Sequence, residues 1–191
     1  MGNSLSLIAS IGVPLITGTA IGISMRDDVK SWYPTIKKPS WNPPNWIFGP
    51  VWTCLYATIG YASWRVFQAG GGPLPLGLYA TQLALNFIWT PLFFKAHNLK
   101  AASYEITALL GTIVATIMAF NKVDETAALL MLPYLGWTTF ATCLTWNIHL
   151  NNPDQGGNGG FKRGVAVVND DEEEASTPFL VGGSPRKPNS P

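Results

Sequence analysis

Five long apolar stretches, separated by short segments that hold most of the charges, constrain this chain more than any other feature. They cover residues 5–25, 46–67, 76–94, 101–120 and 126–150. Each is close to the ~20 residues that a helix needs to cross a bilayer core. Only 12% of the 191 residues are charged and 47% are hydrophobic, whereas a soluble domain carries about twice that charged fraction. The pattern predicts an all-α, five-transmembrane-helix bundle.

Lysine and arginine between the stretches predict how this bundle is oriented. One group lies in the segments after the first and third stretches: Arg26, Lys30, Lys37, Lys38, Lys95 and Lys100. Only Arg65 and Lys122 lie at the other ends of the stretches. Because short cytoplasmic loops are enriched in basic residues, we expect loop 1 (residues 26–45), the loop near Lys95 and the C-terminus to be cytoplasmic.

The composition changes after the fifth stretch. Residues 152–191 are rich in Gly, Pro, Ser and Asn and contain an acidic run at 170–174. Such a segment buries too little apolar surface to offset the entropy of ordering. We therefore expect a transmembrane domain over residues 1–151 and a disordered, acidic tail over 152–191. Cys54 and Cys143 lie within apolar stretches, and we expect them to be small buried residues.

Loop 1 and the start of the second stretch are rich in tryptophan and proline. Trp32, Trp41, Trp46 and Trp52 alternate with five prolines between residues 32 and 52. The segment has two equally supported interpretations. It forms a belt of indoles at the headgroup level of the membrane, or it forms a structured lid with indole faces lining a pocket for a flat apolar ligand.

The third stretch carries polar and aromatic residues on one helical face. Tyr79, Gln82, Asn86, Trp89 and Phe93 are spaced by three or four residues, which places them on the same side of a helix. Asn86 lies near the middle, where an amide needs a partner. It makes a hydrogen bond to another helix, or it is the polar anchor of an aromatic pocket.

The fifth stretch repeats this arrangement, because Tyr134, Trp137, Ala141 and Leu144 share a face. A small residue between large ones leaves a gap for a neighbouring helix or a ligand, and helix packing is the simpler interpretation. Glu105 is the one acidic residue within the five stretches. It lies near a helix end, from which it can reach the interface.

No enzyme signature accompanies these features. His97 and His149 are the only histidines, and they lack the spacing of metal ligands. The sequence contains no phosphate-binding glycine loop. We therefore expect no catalytic residues, no metal, no cofactor and no nucleic-acid partner.

Three motifs in this chain resemble the translocator protein and tryptophan-rich sensory protein family, once called the peripheral-type benzodiazepine receptor. Residues 41–56 read Trp-x-Pro-Pro-x-Trp-x-Phe-x-Pro-Val-Trp-Thr-x-Leu-Tyr. Residues 82–94 read Gln-Leu-Ala-Leu-Asn-x-x-Trp-x-Pro-Leu-Phe-Phe, and residues 133–142 read Pro-Tyr-Leu-Gly-Trp-x-x-Phe-Ala-Thr. Residues 75–79 look more like the animal-type members.

The resemblance implies a bundle, usually a homodimer, whose pocket is closed by loop 1. Members bind porphyrins, and animal members bind cholesterol and benzodiazepine-type synthetic ligands in the outer mitochondrial membrane, with a cytosolic C-terminus. The implied function is binding and transport of porphyrins, which are heme precursors, and of related hydrophobic ligands. Carried over by position, the implied ligand-binding residues are Trp52, Asn86, Trp89, Trp137, Ala141, Leu144, Tyr33 and Trp41.

Two other functions follow from the same resemblance. Some bacterial members are reported to break down porphyrin in light, and Trp52 and Trp137 match the tryptophans implicated there. Sterol import or a mitochondrial scaffold is implied by animal members, which end the last helix with Tyr followed by Arg. Here Trp146 and Leu150 stand at those positions, so this weak sterol motif is degenerate.

Overall fold

A computed structural model describes residues 2–153, and the predicted tail from residue 154 onward lies outside the described residues. The described part is helical and contains no strand, which confirms the all-α prediction. A 3-10 turn at Tyr33–Thr35 follows the second helix. The α-helices are α1 Gly2–Ser24, α2 Arg26–Ser31, α3 Asn45–Gln68, α4 Pro73–Phe94, α5 Leu99–Asn121, α6 Glu125–Leu130 and α7 Leu132–Asn151.

Each of the five apolar stretches corresponds to a long helical segment, and the fifth is divided into α6 and α7 at Met131. Pro133 lies in the first turn of α7, where its missing N–H weakens the link to the preceding helix. Three segments are long and apolar enough to cross a membrane: residues 4–24, 99–121 and 125–151. The helices α3 and α4 have 24 and 22 residues, but polar residues lower their hydropathy.

The contact between α1 and α3 depends on glycines. A Cβ atom on Gly60 would lie only 2.8 Å from the Cα of Ile11, and closer still to the carbonyl oxygen of Ser10. A Cβ atom on Gly18 would overlap the ring of Tyr56. Small residues allow helix backbones to approach closely in membranes. These two glycines therefore set the distance between α1 and α3.

The core lies between α3, α5 and the α6–α7 segment. Its fully buried side chains come from all of these helices and include Ile59, Val66, Ile106, Leu109, Ile113, Phe120, Met131 and Tyr134. In contrast, α1 exposes large apolar side chains such as Leu5 and Ile16, as expected for a helix that faces lipid. Cys54 and Cys143 are free and exposed, so the expectation that they are buried was wrong: both lie on outward faces of their helices.

Asp124 fixes the turn between α5 and α6. One carboxylate oxygen accepts the N–H of Ala127 at 2.9 Å, which caps α6, and the other is 2.9 Å from Nη2 of Arg65 on α3. The Ala127 N–H, and after it Arg65, lowers the pKa of Asp124. Its stabilising contribution is therefore present above the pKa of the unfolded chain and is lost as the pH falls through the lowered pKa.

The close approach of α1 and α3 predicts the effect of a Gly60→Ala change. The added methyl group meets backbone atoms of α1, which cannot rotate away, so α1 is expected to separate from α3 and the midpoint of thermal unfolding in detergent is expected to fall. Gly111→Ala is the matched control. A Cβ atom there has nothing within 4 Å, and alanine is favoured over glycine in a helix by about 1 kcal/mol. Equal melting midpoints for the two variants would contradict this account of the contact.

Candidate functional site

A cavity of about 760 Å³ lies at the loop 1 end of the bundle. Its walls are the C-terminal half of α1, the N-terminal half of α3, the C-terminal half of α4, one face of α7 from Trp137 to Ile148, two residues of α5 and part of loop 1. Small-molecule sites in proteins typically have about 300–1,000 Å³. The cavity is therefore large enough for a ligand with several fused or linked rings.

Seven of the eight ligand-binding residues expected from the resemblance line this cavity: Tyr33, Trp52, Asn86, Trp89, Trp137, Ala141 and Leu144. The eighth, Trp41, does not. It is 46% exposed and packs edge-to-face on Phe140 with ring centroids 5.6 Å apart. Loop 1 instead contributes the buried Tyr33 to the cavity.

Three tryptophans from three helices form much of the wall. Trp52 on α3 is stacked on Tyr56 at 5.4 Å, and Trp89 on α4 is stacked on Phe93 at 5.1 Å. Trp137 on α7 meets the ring of Phe48 edge-to-face at 5.8 Å. The buried indole nitrogens of Trp89 and Trp137 have no acceptor among the described residues. The wall is thus a flat, mainly aromatic surface, and these two indole nitrogens lie buried behind it.

The polar face predicted for the third stretch points into the bundle. Asn86 is 4% exposed, and its Oδ1 accepts a hydrogen bond from the hydroxyl of Tyr56 on α3. One turn away, Oε1 of Gln82 accepts from the hydroxyl of Tyr134 on α7 at 2.8 Å. Asn86 also lines the cavity whereas Gln82 does not. Both interpretations of Asn86 therefore apply: it joins two helices and it offers a polar group to the cavity.

Loop 1 is a structured lid over part of this cavity. Tyr33 is buried, and its hydroxyl donates to Oδ1 of Asn42 at 2.8 Å. Burial raises the pKa of Tyr33 to about 12, so the hydroxyl remains a donor at neutral pH. Lys38 donates to the carbonyl oxygens of Tyr33 at 2.6 Å and Ile36 at 3.1 Å. Trp46 lines the cavity and is also 73% exposed, so it fits both the lid and the alternative of an interfacial belt.

Asn152 holds the lid to the end of α7. Its Oδ1 accepts the backbone N–H of Lys37 at 2.9 Å, and its Nδ2 donates to the backbone carbonyl of the same residue at 2.9 Å. Nδ2 also donates to the carbonyl of Ile148 at 2.7 Å. The sequence places Asn152 at the first position of the expected tail, but in the structure its side chain is part of the lid.

Several lining residues were not anticipated from the sequence. Tyr56 lies four residues after Trp52, and this spacing could have identified it. Phe48 is also one helical turn from Trp52. In contrast, no pattern in the sequence indicates that α1 near Gly18 lines the cavity. The same is true of the two cations Arg26 and Lys30.

The sterol-motif positions lie outside the cavity. Trp146 donates from its indole nitrogen to Thr107 on α5 at 3.0 Å and packs edge-to-face on Tyr104 at 5.4 Å. Leu150 is 72% exposed. Glu105 does not line the cavity either; both of its carboxylate oxygens are buried, without a hydrogen-bond partner among the described residues.

Comparisons with known proteins confirm the family resemblance that the three motifs indicate. Residues 10–150 match the model of the TspO/MBR family. A protein named "Translocator protein" from Homo sapiens is 42% identical over 126 residues, which are 63% of this chain and 75% of that protein. "Translocator protein" from Sus scrofa is 38% identical over 81% of this chain and 90% of that protein. "Tryptophan-rich protein TspO" from Archaeoglobus fulgidus is 40% identical over 78% of this chain and 99% of that protein.

The contacts of Asn152 predict that Asn152→Ala loosens the lid. The variant loses two hydrogen bonds to Lys37, each of which contributes about 0.5–1.5 kcal/mol. Amide hydrogen exchange in residues 32–42 is therefore expected to become faster. Asn151→Ala is the control, because the Asn151 side chain bonds only to Asn147 of its own helix. Unchanged exchange in the Asn152 variant would show that the lid is held by other contacts.

Proposed function

The chain belongs to the TspO/MBR family, and from this premise we propose that its cavity binds porphyrins and related flat hydrophobic ligands. The family and the apolar helices together indicate an integral membrane protein. The observation that carries the proposal is the meeting of Trp52, Trp89 and Trp137 around Asn86 in one cavity.

The membrane arrangement that we propose has five crossings. These are α1, α3, α4, α5 and the α6–α7 segment, each of which has at least the ~20 residues needed to span the hydrocarbon. In α4, the carbonyl oxygens of the amides of Gln82 and Asn86 both accept hydrogen bonds from tyrosines of other helices. Loop 1 and the C-terminus face the cytosol in this arrangement, as the basic residues predict.

Binding in this cavity would depend mainly on stacking and burial. Indole and phenol rings prefer offset or edge-on contact with other aromatic systems, and the walls offer both geometries. The indole rings of Trp89 and Trp137 would contribute flat apolar area to this contact. Asn86, held by Tyr56, would set the orientation of a polar edge in the deepest part of the cavity.

Transport and location are further parts of the proposal. Relatives carry the name "Translocator protein", which supports movement of the ligand between the cavity and another compartment. By analogy with the animal relatives we place the protein in the outer mitochondrial membrane as a homodimer. Benzodiazepine-type synthetic ligands would occupy the same aromatic cavity.

A light-dependent breakdown of bound porphyrin is a second candidate. Trp52 and Trp137 both line the cavity, and Trp52 is stacked on Tyr56, so oxidisable rings would lie beside an excited ligand. Sterol import has less support. Trp146 is engaged with Thr107, and no cation occupies position 150.

Titration of the purified protein with protoporphyrin tests the binding proposal. Trp52→Ala and Trp137→Ala are each expected to weaken binding about tenfold, because a stacked aromatic pair contributes ~0.5–1.5 kcal/mol beyond the area that it buries. Porphyrin absorbance serves as the readout, so that loss of a fluorescent tryptophan does not affect the measurement.

The control for this titration is Trp146→Phe, which removes an indole that does not line the cavity. Equal affinity of all three variants and the unchanged protein would place the porphyrin elsewhere. For the second candidate, product formation under light should exceed that of free porphyrin and should be lost in Trp52→Phe. If the rates with and without protein are equal, the catalytic alternative fails and binding stands.

A further inference from the structure

Charges on the short helix α2 are divided between two sides. Arg26 and Lys30, four residues apart and therefore on one face, line the cavity, whereas Asp27 and Asp28 do not. Asp28 instead lies 3.8 Å from Nε2 of His97, in the turn between α4 and α5. The acidic residues of α2 are thus directed elsewhere, and the side facing the cavity is left cationic.

These two cations have no partner within the part of the chain that the structure describes. Neither Arg26 nor Lys30 has an acidic side chain within ion-pair distance there. Lys38, the other nearby lysine of loop 1, differs, because backbone carbonyls of the lid hold its ammonium group. Lys38 is therefore held by the lid, whereas Arg26 and Lys30 are exposed and line the cavity without such contacts.

The position of the two cations gives the cavity a polar axis. Asn86 and Tyr56 form a neutral polar end inside the bundle, and the aromatic wall follows. Arg26 and Lys30 belong to loop 1 and lie at the opposite end, where α1 leaves the bundle. A ligand that matches this order has a flat apolar body and anionic groups at one edge.

We propose that Arg26 and Lys30 recognise the carboxylates of the ligand and make the cavity selective for carboxylate-bearing flat molecules over neutral ones of the same ring system. The inference rests on the proposed porphyrin binding and adds the orientation: the carboxylate edge faces loop 1, and the opposite edge, which carries no charge, faces Asn86. Arg26, with its planar guanidinium, can hold one carboxylate through two hydrogen bonds.

The test compares protoporphyrin, which has two carboxylates, with its dimethyl ester, which is neutral, in bilayer discs of phosphatidylcholine. The unchanged protein is expected to bind the acid more tightly than the ester. Arg26→Ala/Lys30→Ala should weaken binding of the acid by roughly 2- to 30-fold, the range for two solvent-exposed ion pairs, and leave binding of the ester unchanged. Arg26→Lys/Lys30→Arg keeps both charges and should keep the preference.

Lys95→Ala/Lys100→Ala is the matched control. It removes the same charge from loops on the same side of the bundle, and neither lysine lines the cavity. If this control loses the preference equally, general attraction of anions to that surface explains the result and the proposal fails. The Arg26→Ala/Lys30→Ala variant could instead weaken binding of the acid only in discs that contain phosphatidylserine. That result would show that the two cations bind lipid headgroups, and it would also overturn the proposal.

Two further outcomes separate this inference from the function on which it rests. If neither porphyrin binds to the unchanged protein, the proposed function itself is wrong. If the acid and the ester bind with equal affinity, the cavity binds porphyrin without recognising its carboxylates. The same conclusion follows if the Arg26→Ala/Lys30→Ala variant loses binding of both molecules equally while its melting midpoint is unchanged.

Discussion

An amide between helices in hydrocarbon must find its hydrogen-bond partner on another helix, because lipid tails offer none. The amide oxygens of Gln82 and Asn86 meet this requirement through Tyr134 on α7 and Tyr56 on α3, whereas Nε2 of Gln82 is buried without a partner among the described residues. The two bonds link α4 to α3 and α7, whereas its most extensive packing is against α5. Asn86 therefore joins two helices and still lines the cavity.

Much of this arrangement was predictable from the sequence, because it follows from periodicity. The positions of the long helices and the shared face of Gln82 and Asn86 depend on local spacing, and they appear in the structure as expected. The break at Met131 was missed, although Pro133 signals it. The contribution of α1 to the cavity and the outward position of Trp41 depend on how distant segments meet, and spacing within one helix carries no such information.

The lid shows how a proline-rich segment can be ordered with few backbone hydrogen bonds of its own. Prolines lack the N–H donor, so loop 1 relies on side chains that bond to its remaining backbone groups. Lys38 donates hydrogen bonds to two backbone carbonyls within the loop. Asn152, at the end of α7, donates one to the carbonyl of Lys37. The lid is therefore attached to the end of the last helix and not only to its own neighbours in sequence.

The contact between Gly18 and Tyr56 links the packing of α1 to a hydrogen bond on α4. The ring of Tyr56 packs against the backbone of α1, and its hydroxyl binds Asn86 on α4. The Tyr56 side chain thus contacts α1 through the edge of its ring and orients the amide of Asn86 on α4 through its hydroxyl group. Residues that share a partner show non-additive effects when both are changed, so positions 18 and 86, on separate helices, should be energetically coupled.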